Sequence, residues 1–327
     1  MRYAHILSSG LYAPSTVLDN AYFDEMLGIE VSTWLSETAK IYERRWANED
    51  ESTVDLCLKA SKSALSKANL NPNDIDLIIV ATDTPEYVSP STASVLQHKL
   101  GATQAGTFDL NAACAGFVTG LDIAATYLGA REDYAHILVV GAYAMSKFLN
   151  KEDKKTVTLF ADGAGALVLG VKEKPGFRSS MLFTQGKYHD GMGIYAGGTH
   201  QPISEAALAN KDHLLKFVYR FPKTLNRDEW SRMARELSQQ AELALEDISH
   251  FFFTQINYNT IVATMEELSL PMSRAHTIMH HYGYTGSACI PMAFAEAEQK
   301  GKLKRGEHVM LIGSGGGLAF AGACFTY

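Results

Sequence analysis

The sequence predicts an α/β protein built from two similar halves, and three observations carry that reading. An aliphatic or aromatic strand pattern behind an acidic turn occurs once in each half. An amphipathic helical pattern precedes each of those strands. Each half then continues through a helix start made of small residues to a second strand that ends in glycine. The same order of elements twice in one chain is a fold-level signal, and strands alternating with helices predict mostly parallel sheets with covered faces.

In chain order, apolar positions at helical spacing from about Val54 to Ala68 give the first helix, and Asp74 to Thr82 (Asp-Ile-Asp-Leu-Ile-Ile-Val-Ala-Thr) gives the strand behind it. Residues 108–117, Phe-Asp-Leu-Asn-Ala-Ala-Cys-Ala-Gly-Phe, place Cys114 among small residues at a helix start, and His136 to Gly141 is the next strand. The second half repeats the series with a helix from about Asp228 to Leu245, the strand Glu246 to Gln255, the small-residue start Tyr282 to Cys289 and the strand His308 to Gly313. The halves join near Val171 to Phe177, giving units 1–172 and 173–327, and each helix that begins in small residues is expected to lie buried between sheets.

Cys114 is the leading chemical candidate. The first N–H groups of a helix have no partners of their own and carry partial positive charge, so a thiolate there is favoured and a depressed pKa is expected. A free Cys is more often a small buried space-filler. That reading does not explain Ala112, Ala113, Ala115 and Gly116 around the sulfur, nor the glycine clusters at 163–165 and 315–317.

Composition narrows the function. A chain of 327 residues, 46% hydrophobic, can bury a large core, and a formal charge of -7 without a Lys/Arg-rich run argues against nucleic acid as a partner. Cys57, Cys114, Cys289 and Cys324 are far apart with no Cys-x-x-Cys, so neither a disulfide framework nor a metal site is indicated, and a reducing cytoplasm fits best. The N-terminus lacks a signal-peptide core and no apolar run is expected to span a bilayer, which leaves no membrane association.

These motifs resemble the thiolase-fold condensing enzymes, specifically the β-ketoacyl-acyl-carrier-protein synthase III family. Asn111 to Phe117 resembles its nucleophile motif, Phe160-Ala-Asp-Gly-Ala-Gly-Ala166 its glycine-rich turn, and Gly313-Ser-Gly-Gly-Gly-Leu318 its C-terminal glycine loop. The resemblance runs collinearly to Tyr327. It implies a duplicated, five-layer αβαβα thiolase-like architecture, with Cys114 attacking an acyl thioester and the oxyanion held by the N–H groups of Cys114 and Gly316. No permanently bound cofactor is implied. Coenzyme A or phosphopantetheine thioesters would be substrates, with Trp34 and Asn257 on the side where relatives hold the coenzyme A moiety. The resemblance also implies a homodimer, in which the segment Glu86 to Thr92 reaches the neighbouring acyl pocket.

The departures from the family pattern bear on the reaction. Decarboxylating members use a His and an Asn at positions that read Gln255 and Tyr284 here. An amide does not titrate in the working range, so Gln255 does not shuttle a proton as imidazole does, and Tyr284 donates from a bulkier side chain. His280 and His281, just before Tyr282, are alternative bases. Where relatives present basic residues to acyl-carrier protein, this chain has Thr260, Glu266 and Glu267, which would repel an acidic carrier. Thr38 stands where relatives carry an Arg beside the coenzyme A nucleotide. Three functions follow: an acyltransferase loading Cys114, a decarboxylating condensing enzyme using Gln255 and Tyr284, or a non-catalytic partner subunit of an active homologue. Acyl length and acceptor depend on loops such as Lys187 to Lys211.

Overall fold

The structure, a computed structural model, describes residues 2–327. Nine strands form two sheets. The first contains β1 (Tyr3–Tyr12), β2 (Leu77–Ala81), β3 (Gly106–Leu110), β4 (His136–Ala144) and β5 (Asp162–Lys172), in the order β1-β5-β4-β2-β3. The second contains β6 (Phe177–Thr184), β7 (Ile248–Phe253), β8 (His308–Gly315) and β9 (Ala319–Thr326), in the order β7-β8-β9-β6.

The two orders are the same pattern, except that the second sheet lacks a full counterpart of β3. Its place is marked by a single parallel bridge between Phe251 and Ala275, with the His276 N–H bonded to the Phe251 carbonyl at 3.0 Å. The sheets are less parallel than expected. Only β2–β4, β2–β3 and β7–β8 are parallel, while β1, β5, β6 and β9 enter antiparallel. The reason is local: β8 reaches β9 through the tight Gly316–Leu318 turn, and β4 reaches β5 through short one-turn helices, so neither return passes through a long crossover helix.

Helices fill the layers between and outside the sheets. On the outer face of the first sheet lie α1 (Thr53–Ala68) and α2 (Thr92–Leu100). Between the sheets lie α3 (Gly116–Ala130) and α6 (Cys289–Gln299), and outside the second sheet lie α4 (Leu225–Gln240) and α5 (Tyr258–Glu267). The five-layer αβαβα arrangement is therefore present. Local chemistry explains the boundaries. At the start of α1, Asp55 Oδ2 accepts the Ser52 N–H at 3.0 Å as one arm of a capping box, and Asn69 closes the helix in the left-handed region at φ 55°.

The inner layer is apolar enough for Ala113–Ala130 to pass a length-and-hydropathy test for a membrane span, contrary to the sequence expectation. Its place between two sheets explains the composition: a helix covered on both sides needs no polar face. Gly165 on β5 is needed for the close approach of α6, since a Cβ there would stand 2.6 Å from the Met292 nitrogen.

Candidate active site

Cys114, the candidate nucleophile, is presented by a strained turn. β3 runs into Asn111, whose Oδ1 accepts the Ala113 N–H at 3.0 Å, and Ala113 takes φ 46°, a conformation that L-residues pay for with about 1–3 kcal/mol. Cys114 follows in the single turn Ala113–Ala115 that leads into α3. It is 3% exposed. The glycine loop after β8 closes on its backbone. A Cβ on Gly315 would lie 2.5 Å from the Cys114 nitrogen, 2.6 Å from the Ala112 oxygen and 2.9 Å from the Ala115 nitrogen. Gly316, next in the chain, lies along Ala113 and Met192. The structure thus brings Cys114 and Gly316 together from opposite halves.

Tyr284 joins them. Its backbone is pinned to the loop before β5, the N–H donating to the Leu159 carbonyl at 2.9 Å and the carbonyl accepting from the Ala161 N–H at 2.9 Å. The ring is buried against Phe160 (5.3 Å between centroids) and Tyr143 (6.5 Å). Burial holds the phenol well above its usual pKa, so it is a neutral donor.

Gln255 is placed differently from the expectation. Its Oε1 accepts from the N–H groups of Ile278 (2.7 Å) and Met279 (3.2 Å), and its Nε2 donates to the His276 carbonyl at 2.9 Å. The side chain therefore splints the 276–279 segment instead of facing the acyl group, because an amide can satisfy both donors and acceptors of a buried peptide stretch. Asn257 is the N-cap of α5, its Oδ1 accepting the Thr260 N–H at 3.3 Å. Trp34 is 51% exposed on the outer surface. Nearby, Thr38 accepts from the Asn259 amide at 3.3 Å, which ties the Trp34 segment to the start of α5.

His280 is held by the Lys40 carbonyl (2.6 Å) and the Thr277 hydroxyl (3.1 Å) and packs on Tyr42, while His281 is exposed. The thiol itself also departs from expectation. Burial, first, and the charge of Asp83, second, push Cys114 well above the usual thiol range, against the Tyr284 hydroxyl that pulls it down. Desolvation outweighs the helix terminus here.

Tyr143, whose ring centroid lies 6.5 Å from that of Tyr284, is a neighbour of this cluster that the sequence reading did not single out.

Comparison with known proteins decides the family. The profile of 3-oxoacyl-[acyl-carrier-protein (ACP)] synthase III matches residues 108–186, and that of its C-terminal part matches residues 238–327. The β-ketoacyl-[acyl-carrier-protein] synthase III of Clostridioides difficile is 38% identical, over 97% of this chain and 96% of its own. The chain belongs to the synthase III family.

Other relatives show the spread of reactions on this scaffold. Acetoacetyl CoA synthase NphT7 of a Streptomyces species is 36% identical over 96% of this chain and 95% of its own. The synthase III structure from Thermus thermophilus superposes with a TM-score of 0.86 at 34% identity, covering 99% of each chain. The family is one of transferases acting on acyl thioesters, and the fold found here is theirs.

Proposed function

We propose that this chain is an acyltransferase that loads an acyl group from a coenzyme A or phosphopantetheine thioester on Cys114 and passes it to an acceptor without decarboxylating a malonyl unit. The single observation that carries the reading is the unequal state of the two donor sets. Cys114 and the glycine loop keep the close backbone contact that an oxyanion hole requires, whereas the Gln255 amide is taken up by residues 276–279. In this reading residues 1–172 carry the nucleophile, residues 173–327 complete the site, and Trp34 and Asn257 flank the thioester's approach.

The outer face of α5 supports coenzyme A over a carrier protein as donor. Glu266 and Glu267 are exposed there, and only a long 4.0 Å contact from Arg235 offsets Glu267, so an acidic partner meets repulsion. Intact-mass spectrometry with a panel of acyl-coenzyme A thioesters tests the proposal: one acyl adduct per chain supports it, and none with any thioester favours a non-catalytic partner subunit.

A homodimer completes the proposal. β3 is an edge strand with one side unpaired in the sheet, and beside it the Glu86 to Thr92 segment exposes Tyr87 (54%) and Val88 (91%). An unpaired edge next to an apolar tip is a surface that soluble chains cover. Light scattering at micromolar concentration is expected to give twice the chain mass; a monomer would remove the dimer from the account.

A further inference from the structure

Arg44 is fully buried, yet its hydrogen bonds run to neutral oxygens. Its Nε donates to the Thr158 carbonyl at 2.6 Å and its Nη1 to Asn20 Oδ1, while Nη2 is sealed from solvent and has no hydrogen-bond partner among the described residues. The guanidinium lies over the Phe23 ring, 4.5 Å from its centroid. A charge kept out of water without a bonded carboxylate works against stability, so its place in the fold calls for another explanation.

The partners of Arg44 supply one. It belongs to the short strand Glu43–Trp46, which pairs with Thr16–Asp19. Alternate side chains of a strand share a face, and from that face Arg44 reaches the Thr158 carbonyl while Trp46 Nε1 donates to the Phe160 carbonyl at 3.1 Å. The following N–H, of Ala47, donates to Asp162 Oδ2 at 2.7 Å. Three donors thus clamp residues 158–162. The far side of the clamp is anchored as well, since the Asn20 amide donates to the Ile41 carbonyl and the Ser36 hydroxyl, both at 3.0 Å.

The clamped segment is the one that holds Tyr284. Leu159 accepts the Tyr284 N–H, Ala161 donates to the Tyr284 carbonyl, and Phe160 forms a parallel bridge with Tyr284. Arg44 touches this second strand directly: a Cβ on Gly283 would stand 2.8 Å from Arg44 Cγ, 3.0 Å from Ala161 Cβ and 3.2 Å from the Leu159 oxygen. Just beyond Tyr284, the turn Gly286–Ala288 lies against the turn Ala113–Ala115 that carries Cys114.

We propose that Arg44 is a positioning residue for the Cys114 site. Its head fixes the Thr158 end of the clamped segment, its stem lies against Gly283, and Tyr284 is held between them in one place beside the Cys114 turn. Arginine suits the task because its planar fork presents two donors in fixed directions where lysine offers one point charge. Arg44 itself touches no substrate and acts through Tyr284.

This inference rests on the acyl-transfer reading with Tyr284 in the site, and its test has an arm that needs no acylation. Arg44→Met keeps the stem and removes the head. Single-turnover acylation by acetyl-coenzyme A should fall about tenfold to a hundredfold, the cost of a small misplacement at a reacting centre. Trp46→Phe removes only the donor to the Phe160 carbonyl and should slow acylation about threefold or more, which keeps the proposal testable if Arg44→Met does not fold. A general structural role is separated by a double-mutant cycle: on a Tyr284→Phe background, itself slower than wild type, Arg44→Met or Trp46→Phe should change the rate less than about twofold. The independent arm places 3-fluorotyrosine at position 284 and records its fluorine resonance, expected as one narrow line that shifts or broadens with Arg44→Met or Trp46→Phe.

Slowed acylation, a non-additive cycle and an altered fluorine line together support the proposal. Wild-type acylation in the clamp variants, full losses on the Tyr284→Phe background, or an unchanged fluorine line would overturn it. If the wild type takes no acyl group, the acyl-transfer reading fails, and the fluorine line alone then decides whether Arg44 positions Tyr284.

Discussion

Cys114→Ala is expected to abolish acylation by every acyl-coenzyme A that labels the wild type, a loss of more than about a thousandfold in turnover. The expectation is not that the chain lacks other thiols. Cys57, Cys289 and Cys324 are all buried, and Cys289 is held at about 12 and Cys324 at about 12 by desolvation, so they stay protonated and slow. Desolvation raises Cys114 too, but Cys114 has a glycine loop packed against its own backbone. Cys289 is the first residue of the corresponding central helix of the second half and provides an internal control. Mass spectrometry of the variant should show no adduct; a persistent adduct on Cys289 would mean that the wrong half carries the nucleophile.

The second large effect concerns a residue with no side chain. Gly315→Ala puts a Cβ at 2.5–2.9 Å from three backbone atoms of residues 112–115, none of which can rotate away as a side-chain tip would. The backbone must shift, and it carries the donor that meets the oxyanion. Losing one such donor costs about a hundredfold to a thousandfold in rate, and overpacking at a rigid contact costs about 1–3 kcal/mol of stability. Gly315→Ala should therefore lose at least about a hundredfold in the acylation rate and melt several degrees lower. Gly186→Ala, where a Cβ meets nothing within 4 Å, should behave as wild type in both assays. Equal rates for the two variants would show that the loop's approach to Cys114 does not matter for chemistry.

The architecture is legible in the sequence because its period is short. Strands such as Leu77–Ala81, buried at every position, and helices such as Thr53–Ala68, opened at Ser52 and closed at Asn69, are local patterns read within a few residues. The antiparallel entries of β1 and β6 are not legible, since strand direction is decided by which partner a strand finds across the chain. The site divides in the same way. Cys114 and Gly316 belong to motifs and are found as motifs. Gln255 is found as a position in a motif, while only the structure shows that Ile278, Met279 and His276 take its amide.

The central claim is that Cys114 accepts an acyl group while the altered pair at 255 and 284 does not support malonyl decarboxylation. Decarboxylation develops an enolate whose oxygen needs two preorganised donors, each worth a few kcal/mol. Tyr284 is buried and neutral, and Gln255 keeps its amide on the backbone. The direct measurement is release of radiolabelled carbon dioxide from malonyl-coenzyme A, run beside self-acylation of Cys114 on the same preparation. The wild type is expected to acylate readily and release carbon dioxide at least about a hundredfold more slowly than it acylates, with Gln255→His plus Tyr284→Asn raising the release. Brisk release by the wild type, at a rate matching acylation, would contradict the account and make Gln255 and Tyr284 working replacements for the usual pair.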